Sequence, residues 1–237
     1  MLPNVVAGSS LLKGLVDFFW PPLCLGCGQF DDKGTGVCEH CRKRIIRYEH
    51  PICLECFSVL QGTDRCQVCD KKMTPLYAHA DYASPMREIV ISFKFRGIRL
   101  PALVFPPLII EQYEQRLRNI EADLLIPVPL HRDRERKRGF NQAALLADKL
   151  GEILNLPVRE DIIVRRRKGK PQSKLEFKKR AENVAQAYEV EIPAQGSERV
   201  VVVDDVVTSG ATAREVCGEL TRAGYTVAAV VAMAHGQ

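Results

Sequence analysis

Residues 199–212 read Arg-Val-Val-Val-Val-Asp-Asp-Val-Val-Thr-Ser-Gly-Ala-Thr, and this run dictates much of the fold. Four successive valines suit a strand covered on both faces, as inside a parallel sheet. The strand ends on two adjacent carboxylates, Asp204 and Asp205, then bends through small residues into a helix over about residues 213–223. Val216, Cys217 and Leu220 form the apolar stripe of that helix, and Gly224 stops it. Between strand and helix, Thr208, Ser209, Gly210, Ala211 and Thr212 offer backbone N–H groups and three hydroxyls at the positive end of a helix dipole. A phosphate needs such donors aimed at it and no bulky side chains nearby. The two acids cannot help to hold an anion, but they can accept hydrogen bonds from neighbouring sugar hydroxyls. The segment therefore suits a ribose 5-phosphate. A buried strand with solvated acids and a tight turn explains any one of these features, but not all of them in this order.

Eight of the nine cysteines form four Cys-x-x-Cys pairs: Cys24/Cys27, Cys38/Cys41, Cys53/Cys56 and Cys66/Cys69. Such a turn aims two sulfurs at one point, and two turns complete a tetrahedral zinc shell, so the chain predicts two structural Zn2+ sites. Pairing in sequence order gives two ribbons; joining the first pair to the third and the second to the fourth is equally compatible with the spacing. Disulfides require an oxidising compartment, and the first 20 residues make a poor export signal. Their only basic residue, Lys13, sits inside the apolar part, and no small-residue cleavage site follows. A cytoplasmic location is expected. Residues 1–20 read instead as an amphipathic packing helix, with a membrane-surface anchor as the alternative, and no run reaches the length of a membrane span. The cysteine-rich stretch, residues 21–74, has few large apolar side chains, so metal is expected to fold it outright. His40 and His50 are not needed to complete either shell. Cys217, the ninth cysteine, reads as a small buried apolar residue.

From residue 75 to 237 strands and helices alternate, which predicts an α/β parallel sheet flanked by helices, with ligand across the carboxyl ends of its strands. A strand over 76–82 precedes a helix opened by Ser84-Pro85, with Met86, Ile89, Val90 and Phe93 on its apolar face. A second helix, over 101–118, contains Pro106-Pro107, which should kink or split it. A strand over 123–130 ends in prolines and leads into a basic loop and a helix over 141–154 that buries Ala144, Leu145, Ala147 and Leu150. A third strand, 161–164, runs into Arg165-Arg166-Arg167-Lys168, followed by a helical stretch from Lys174 and a strand over 188–192.

Charge is focused rather than spread. Residues 131–140 carry +3 and residues 159–180 carry +7, whereas the whole chain is only +5, leaving −5 elsewhere. A basic loop after residue 164 could close over a polyphosphate as a lid, or line a groove for single-stranded nucleic acid.

The segment 199–212 closely resembles the signature of type I phosphoribosyltransferases, enzymes that use phosphoribosyl pyrophosphate (PRPP) with Mg2+. The resemblance implies that Asp204 and Asp205 hold the ribose hydroxyls and that Thr208, Ser209, Gly210, Ala211 and Thr212 wrap the 5-phosphate. It also places the pyrophosphate at the turn after residue 129, on Leu130, His131, Arg132 and Arg138. Over nearly its full length the chain is similar to the ComF family, which includes GntX. The matching residues are the four cysteine pairs, Phe93-Lys94-Phe95-Arg96-Gly97, Ile126-Pro127-Val128-Pro129-Leu130, Arg138-Gly139-Phe140-Asn141-Gln142 and Val202–Gly210. Gln172, Leu175, Arg180 and Asn183 fall on a further pattern of that family. Two positions depart from it: Ala185 replaces a common glycine, and Lys170-Pro171 stands where a threonine is often found. The family is associated with uptake and use of DNA, which implies single-stranded DNA and proteins of an uptake pathway as partners. Arg165, Arg166, Arg167, Lys168, Gln172 and Arg180 are then lid or nucleic-acid residues.

In the type I reaction a nitrogen nucleophile attacks ribose C1 as Mg-bound pyrophosphate leaves, and charge stabilisation does most of the work. The acceptor is normally read by a hood. The last expected strand, 226–232, ends five residues before Gln237, so no C-terminal hood is expected, and the zinc module is expected to roof the site instead. Two function classes remain: a phosphoribosyltransferase with an unassigned acceptor, or a non-catalytic PRPP or nucleotide sensor that binds single-stranded DNA.

Overall fold

The computed structural model describes residues 21–60, 65–71, 74–166 and 187–236. The helix expected over residues 1–20 lies outside them, as do Arg167, Lys168, Gln172, Arg180 and the helical stretch expected from Lys174.

A five-stranded sheet organises the chain. Its strands are β1 (Ile52–Cys53), β2 (Pro75–Asp81), β3 (Leu124–Pro127), β6 (Arg199–Val207) and β7 (Thr226–His235), in the order β1-β2-β7-β6-β3. The last four are mutually parallel, and β1 pairs antiparallel with β2 at the edge. Alternation along β6 divides its valines between two cores. Val201 and Val203 face α2 (Met86–Phe95), α3 (Pro101–Arg118) and α5 (Gln142–Leu154); Val200 and Val202 face α6 (Ala211–Arg222). All four are at most 4% exposed, so each contributes on the order of 1.5 kcal/mol by burial. That two-sided burial is why no polar residue stands between Arg199 and Asp204.

The strand expected over 161–164 does not join this sheet. It forms β4 (Ile163–Arg165), which pairs antiparallel with β5 (Tyr188–Val190) in a separate two-stranded ribbon. Its length explains this: three residues suffice for a short antiparallel ribbon, whereas the parallel strands of the sheet carry four to ten. The expected kink in α3 also falls elsewhere. Pro106 and Pro107 remain in helix, and the non-helical dihedrals occur at Tyr113 (φ −126°, ψ 20°). The Tyr113 hydroxyl donates to the Ala78 carbonyl at 2.9 Å, which ties the side chain to β2 and lets the turn there deviate. The helix expected to open at Ser84 begins at Met86 after a cis Ser84–Pro85 peptide. In α5, Leu146 rather than Leu145 joins the fully buried face, with Leu145 packed at its margin.

The cysteine-rich segment straddles the β2 edge. Residues 46–54 run antiparallel beside β2, with Asp81 N donating to Ile46 O (2.8 Å), Tyr48 N to His79 O (3.2 Å) and Leu54 N to Thr74 O (3.0 Å). Before this edge segment, the part carrying α1 (Glu39–Arg44) contributes Cys24, Val37 and Cys41 to the core shared with α2 and α3. After it, Ile52 and Leu54 enter the opposite core beside α6.

Candidate functional site

The carboxyl ends of β3 and β6 open onto a cavity of about 150 Å3. Its walls include Lys94, Leu130, Arg134, Arg138, Arg165, Tyr188, Asp204, Asp205 and Thr212. Each wall has a local cause. Near its end β6 carries Asp204 and Asp205, and the chain turns through Gly210 (φ 73°), a left-handed conformation that glycine adopts without a Cβ penalty, before α6 begins at Ala211. The basic run after β3, expected as a loop, is a helix, α4 (Arg132–Arg138). His131 caps it by accepting from Asp133 N at 3.2 Å, and Gly139, again left-handed (φ 80°), ends it. Asn141 fastens the next turn: its Nδ2 donates to Val128 O (3.1 Å) and its Oδ1 accepts from Ala143 N (3.1 Å).

Four cations and two acids meet here. Lys94 Nζ lies 2.9 Å from Asp205 Oδ1, with the two side chains 23% and 10% exposed. Asp204 Oδ1 accepts from the Asp205 N–H at 2.8 Å. Burial first, then the Asp205 carboxylate, push Asp204 up to about 8, with Lys94 pulling the other way. Arg138 donates to Gln142 Oε1 (3.0 Å) and lies over the Phe95 ring at 5.2 Å. Burial holds its guanidinium below the usual range. Arg165 covers the Tyr188 ring at 5.3 Å, which places a flat cation–aromatic pair on the wall supplied by the small ribbon.

The residues expected to hold the ribose, its 5-phosphate and the pyrophosphate, and the expected lid residue Arg165, therefore converge in part. Asp204, Asp205, Thr212, Leu130, Arg138 and Arg165 border one cavity. Thr208 and Ser209 are exposed just outside it. Arg132 borders an adjoining cavity of about 130 Å3 with Glu135, Glu160 and Leu130, and the His131 ring is engaged as a helix cap. Arg166 is engaged by Glu189 on β5. Lys94, Arg134, Asn141, Gln142 and Tyr188 border the cavity without a site role that the sequence pattern assigns them. For Lys94, Asn141 and Gln142 a signal exists, since all three lie in the family motifs at 93–97 and 138–142. Among the described residues none that lines the Asp204 cavity belongs to the cysteine-rich segment, so the expected zinc roof is corrected: the described part of that segment flanks the sheet edge instead.

The cysteines form two groups, Cys24/Cys27/Cys38/Cys41 and Cys53/Cys56/Cys66/Cys69, with the sulfurs of each within 4.8 Å of one another. Pairing is thus in sequence order. The sulfur separations of Cys27–Cys38 (3.8 Å), Cys53–Cys69 (3.8 Å) and Cys56–Cys66 (3.6 Å) match the edge of a tetrahedron with Zn–S bonds of about 2.3 Å. Four thiolates without an open position make structural zinc sites. The second ribbon's own core consists of Cys53, Leu60 and Cys66, so its ligands are most of what it buries. Cys217 is buried on α6, and burial pushes its thiol up to about 12, as suits a packing residue. Among the described residues no helix is long and apolar enough to cross a membrane.

Residues 15–71 match the double zinc ribbon domain family. The chain is 32% identical over 196 residues to the DNA utilization protein YhgH of Shigella flexneri, covering 80% of this chain and 86% of that one. It is 30% identical to competence protein F of Haemophilus influenzae, over 85% of this chain and 91% of the other. For competence protein ComFC of Bacillus subtilis the identity is 29%, with 80% and 74% covered. Among solved structures it is similar to the purine phosphoribosyltransferase of Pyrococcus horikoshii (22% identity, TM-score 0.33, covering 53% of this chain and 69% of that one). It is also similar to UMP synthase of Leishmania donovani (20%, TM-score 0.33), covering 74% of this chain but only 28% of that one. The sequence relationship is the stronger of the two. By its identity to these proteins over most of its length, and by its paired four-cysteine ribbons, this chain belongs to the competence protein F family of DNA-utilisation proteins.

Proposed function

We propose that the protein binds Mg-PRPP in the cleft between β3 and β6 and transfers the phosphoribosyl group to a nitrogen acceptor in the service of DNA utilisation. One observation carries this reading: Asp204 and Asp205, Thr212 in the first turn of α6, and Lys94, Arg134, Arg138 and Arg165 all border a single cavity. The carboxylates accept from the ribose 2- and 3-hydroxyls, and the loop at 208–212 donates N–H groups to the 5-phosphate. The arginines of α4 and β4 face the pyrophosphate. When the bond from C1 to the pyrophosphate oxygen breaks, that oxygen keeps the electron pair, and the cations around it stabilise the charge. The acceptor nitrogen forms the new bond to C1 and releases its proton to solvent. Magnesium prefers oxygen donors, and the ribose hydroxyls, the pyrophosphate and the acidic pair are of that kind; it supplies further neutralisation of the leaving group.

The second reading, a PRPP or nucleotide sensor that binds single-stranded DNA, is favoured by the composition of the cavity wall. Tyr188 is its one aromatic residue among the described residues, and Arg165 already covers it, so no base-reading pocket stands out there. One experiment separates the two. The zinc-loaded protein is incubated with Mg-PRPP and a panel of bases and single-stranded oligonucleotides while pyrophosphate is monitored. Acceptor-dependent release that vanishes in Asp204→Asn/Asp205→Asn supports transfer. Saturable PRPP binding without release, together with DNA affinity that falls steeply with salt and on neutralising Arg165, Arg166 and Arg167, supports the sensor.

A further inference from the structure

The second zinc ribbon reaches the 208–210 loop through two side chains, Arg214 and Phe57. Arg214, in the first turn of α6, donates from Nη1 to the carbonyl of Leu54 at 2.7 Å and from Nη2 to the carbonyl of Ser209 at 2.5 Å. Leu54 stands between the ligands Cys53 and Cys56, inside the zinc knuckle. Ser209 stands in the loop between β6 and α6. The guanidinium therefore bridges a metal knuckle and the loop with two separate donors. It also lies near the Phe57 ring, 5.8 Å from the centroid.

Phe57 makes the second contact. It follows Cys56 with a left-handed backbone (φ 60°), and its N–H donates to Cys53 O at 2.8 Å, which closes the knuckle turn. Its ring packs 4.3 Å from that of His235, whose Nδ1 lies 2.8 Å from the carbonyl of Val207, the last residue of β6. Phe57 and Arg214 together close off Gly210. A Cβ placed on Gly210 would stand 2.5 Å from Arg214 Nη1 and 2.9 Å from Phe57 Cζ. Two residues flank the loop where it turns, and both are fixed by the Cys53–Cys56 knuckle. The first ribbon makes its close approaches elsewhere, Gly26 to Pro85 and Gly36 to Leu100, on the α2 and α3 side of the sheet.

We infer that Arg214 is a positioning residue through which the second zinc centre, and not the first, sets the conformation of the loop 208–210. Resting on the proposed donor site, this makes the second ribbon a brace for the 5-phosphate subsite. The two metal sites then differ in role. Zinc in the first would hold that ribbon against α2 and α3, and zinc in the second would also hold the donor loop in its binding shape. A knuckle carbonyl and an aromatic residue with a left-handed backbone are positions that a closed metal turn keeps fixed.

Arg214→Lys is the informative variant, because a single ammonium keeps the charge but cannot span two carbonyls as the guanidinium fork does. Phe57→Leu tests the second contact and stands in should Arg214→Lys fail to fold. For each, bound zinc is counted, amide exchange is followed in peptides covering 206–214, and affinity for ribose 5-phosphate is measured by calorimetry. The expected result is two zinc ions retained, exchange over 208–212 at least about tenfold faster, and ribose 5-phosphate about tenfold weaker. Cys69→Ser should reproduce the faster loop exchange, whereas Cys27→Ser in the first ribbon should leave it as in the unmodified protein. Loop exchange unchanged in both Arg214→Lys and Phe57→Leu overturns the inference, as does equal acceleration by Cys27→Ser. Failure of the unmodified protein to bind ribose 5-phosphate would count against the donor site alone, since the exchange data still decide the brace.

Discussion

Replacing Asp204 by Asn should stabilise the ligand-free protein, and the gain should grow with pH. In the native state burial and the Asp205 carboxylate push Asp204 up to about 8 from an ordinary value of 3.8. Between those two values the native form holds a proton that the unfolded chain has lost. The corresponding stability is fully present below about 3.8 and is lost as pH rises through about 8. Asn has no proton to lose and resembles the protonated acid, and its Oδ1 can still accept from the Asp205 N–H now held at 2.8 Å. A full shift would give a slope of about 1.4 kcal/mol per pH unit. Solvent still reaches part of Asp204, so about half that slope is expected, or ~2 kcal/mol between pH 5 and pH 8. The adjacent acid should behave in the opposite way. Asp205→Asn strands Lys94, whose ion pair is largely shielded from water, and should cost about 1–3 kcal/mol at pH 7, below the roughly 3–5 of a fully buried pair. Urea titrations at pH 5, 6, 7 and 8, in zinc-retaining buffer without magnesium or phosphate, measure both. A difference between Asp204→Asn and the unmodified protein that does not change with pH would refute the reasoning, as would a destabilised Asp204→Asn at pH 8.

Metal and packing each carry a further prediction. Stripping zinc with a chelator should lower the thermal midpoint and abolish its cooperativity, since within its own cluster the second ribbon buries mainly its ligands; calorimetry with and without added zinc reads this directly. Gly151→Ala should destabilise the protein by about 2 kcal/mol in urea titration despite alanine's better helix propensity. Its Cβ would stand 2.7 Å from the Leu156 carbonyl oxygen and 2.9 Å from Val158 Cγ2, where α5 packs against the segment leading to β4.

Sequence pattern conveys the parts of this protein whose physics is local. Four valines need two covered faces, and β6 has them. Four Cys-x-x-Cys turns need two metals, and two four-cysteine groups form. The bend from Asp205 to α6 needs glycine at one position, and Gly210 occupies it with a left-handed backbone. What stays illegible depends on partners far along the chain. Residues 46–54 alternate only briefly, at Ile46, Arg47, Tyr48 and Glu49, before His50-Pro51 interrupts the pattern, and their place at the β2 edge rests on backbone hydrogen bonds to residues far along the chain. The charged run at 132–138 becomes α4 because His131 caps it and Gly139 ends it, details that a count of arginines hides. Lys94 lies inside a recognisable motif, but nothing in 93–97 says that its ammonium meets Asp205, more than a hundred residues later. The position of the zinc module is hidden for the same reason. The ribbons have their own surface to bury, and residues 46–54 bury part of it along the β2 edge, where Ile52 and Leu54 enter the core beside α6. Paired there, the second ribbon meets the 208–210 loop from the side, through Arg214 and Phe57, which ties the cysteine spacing to the end of β6.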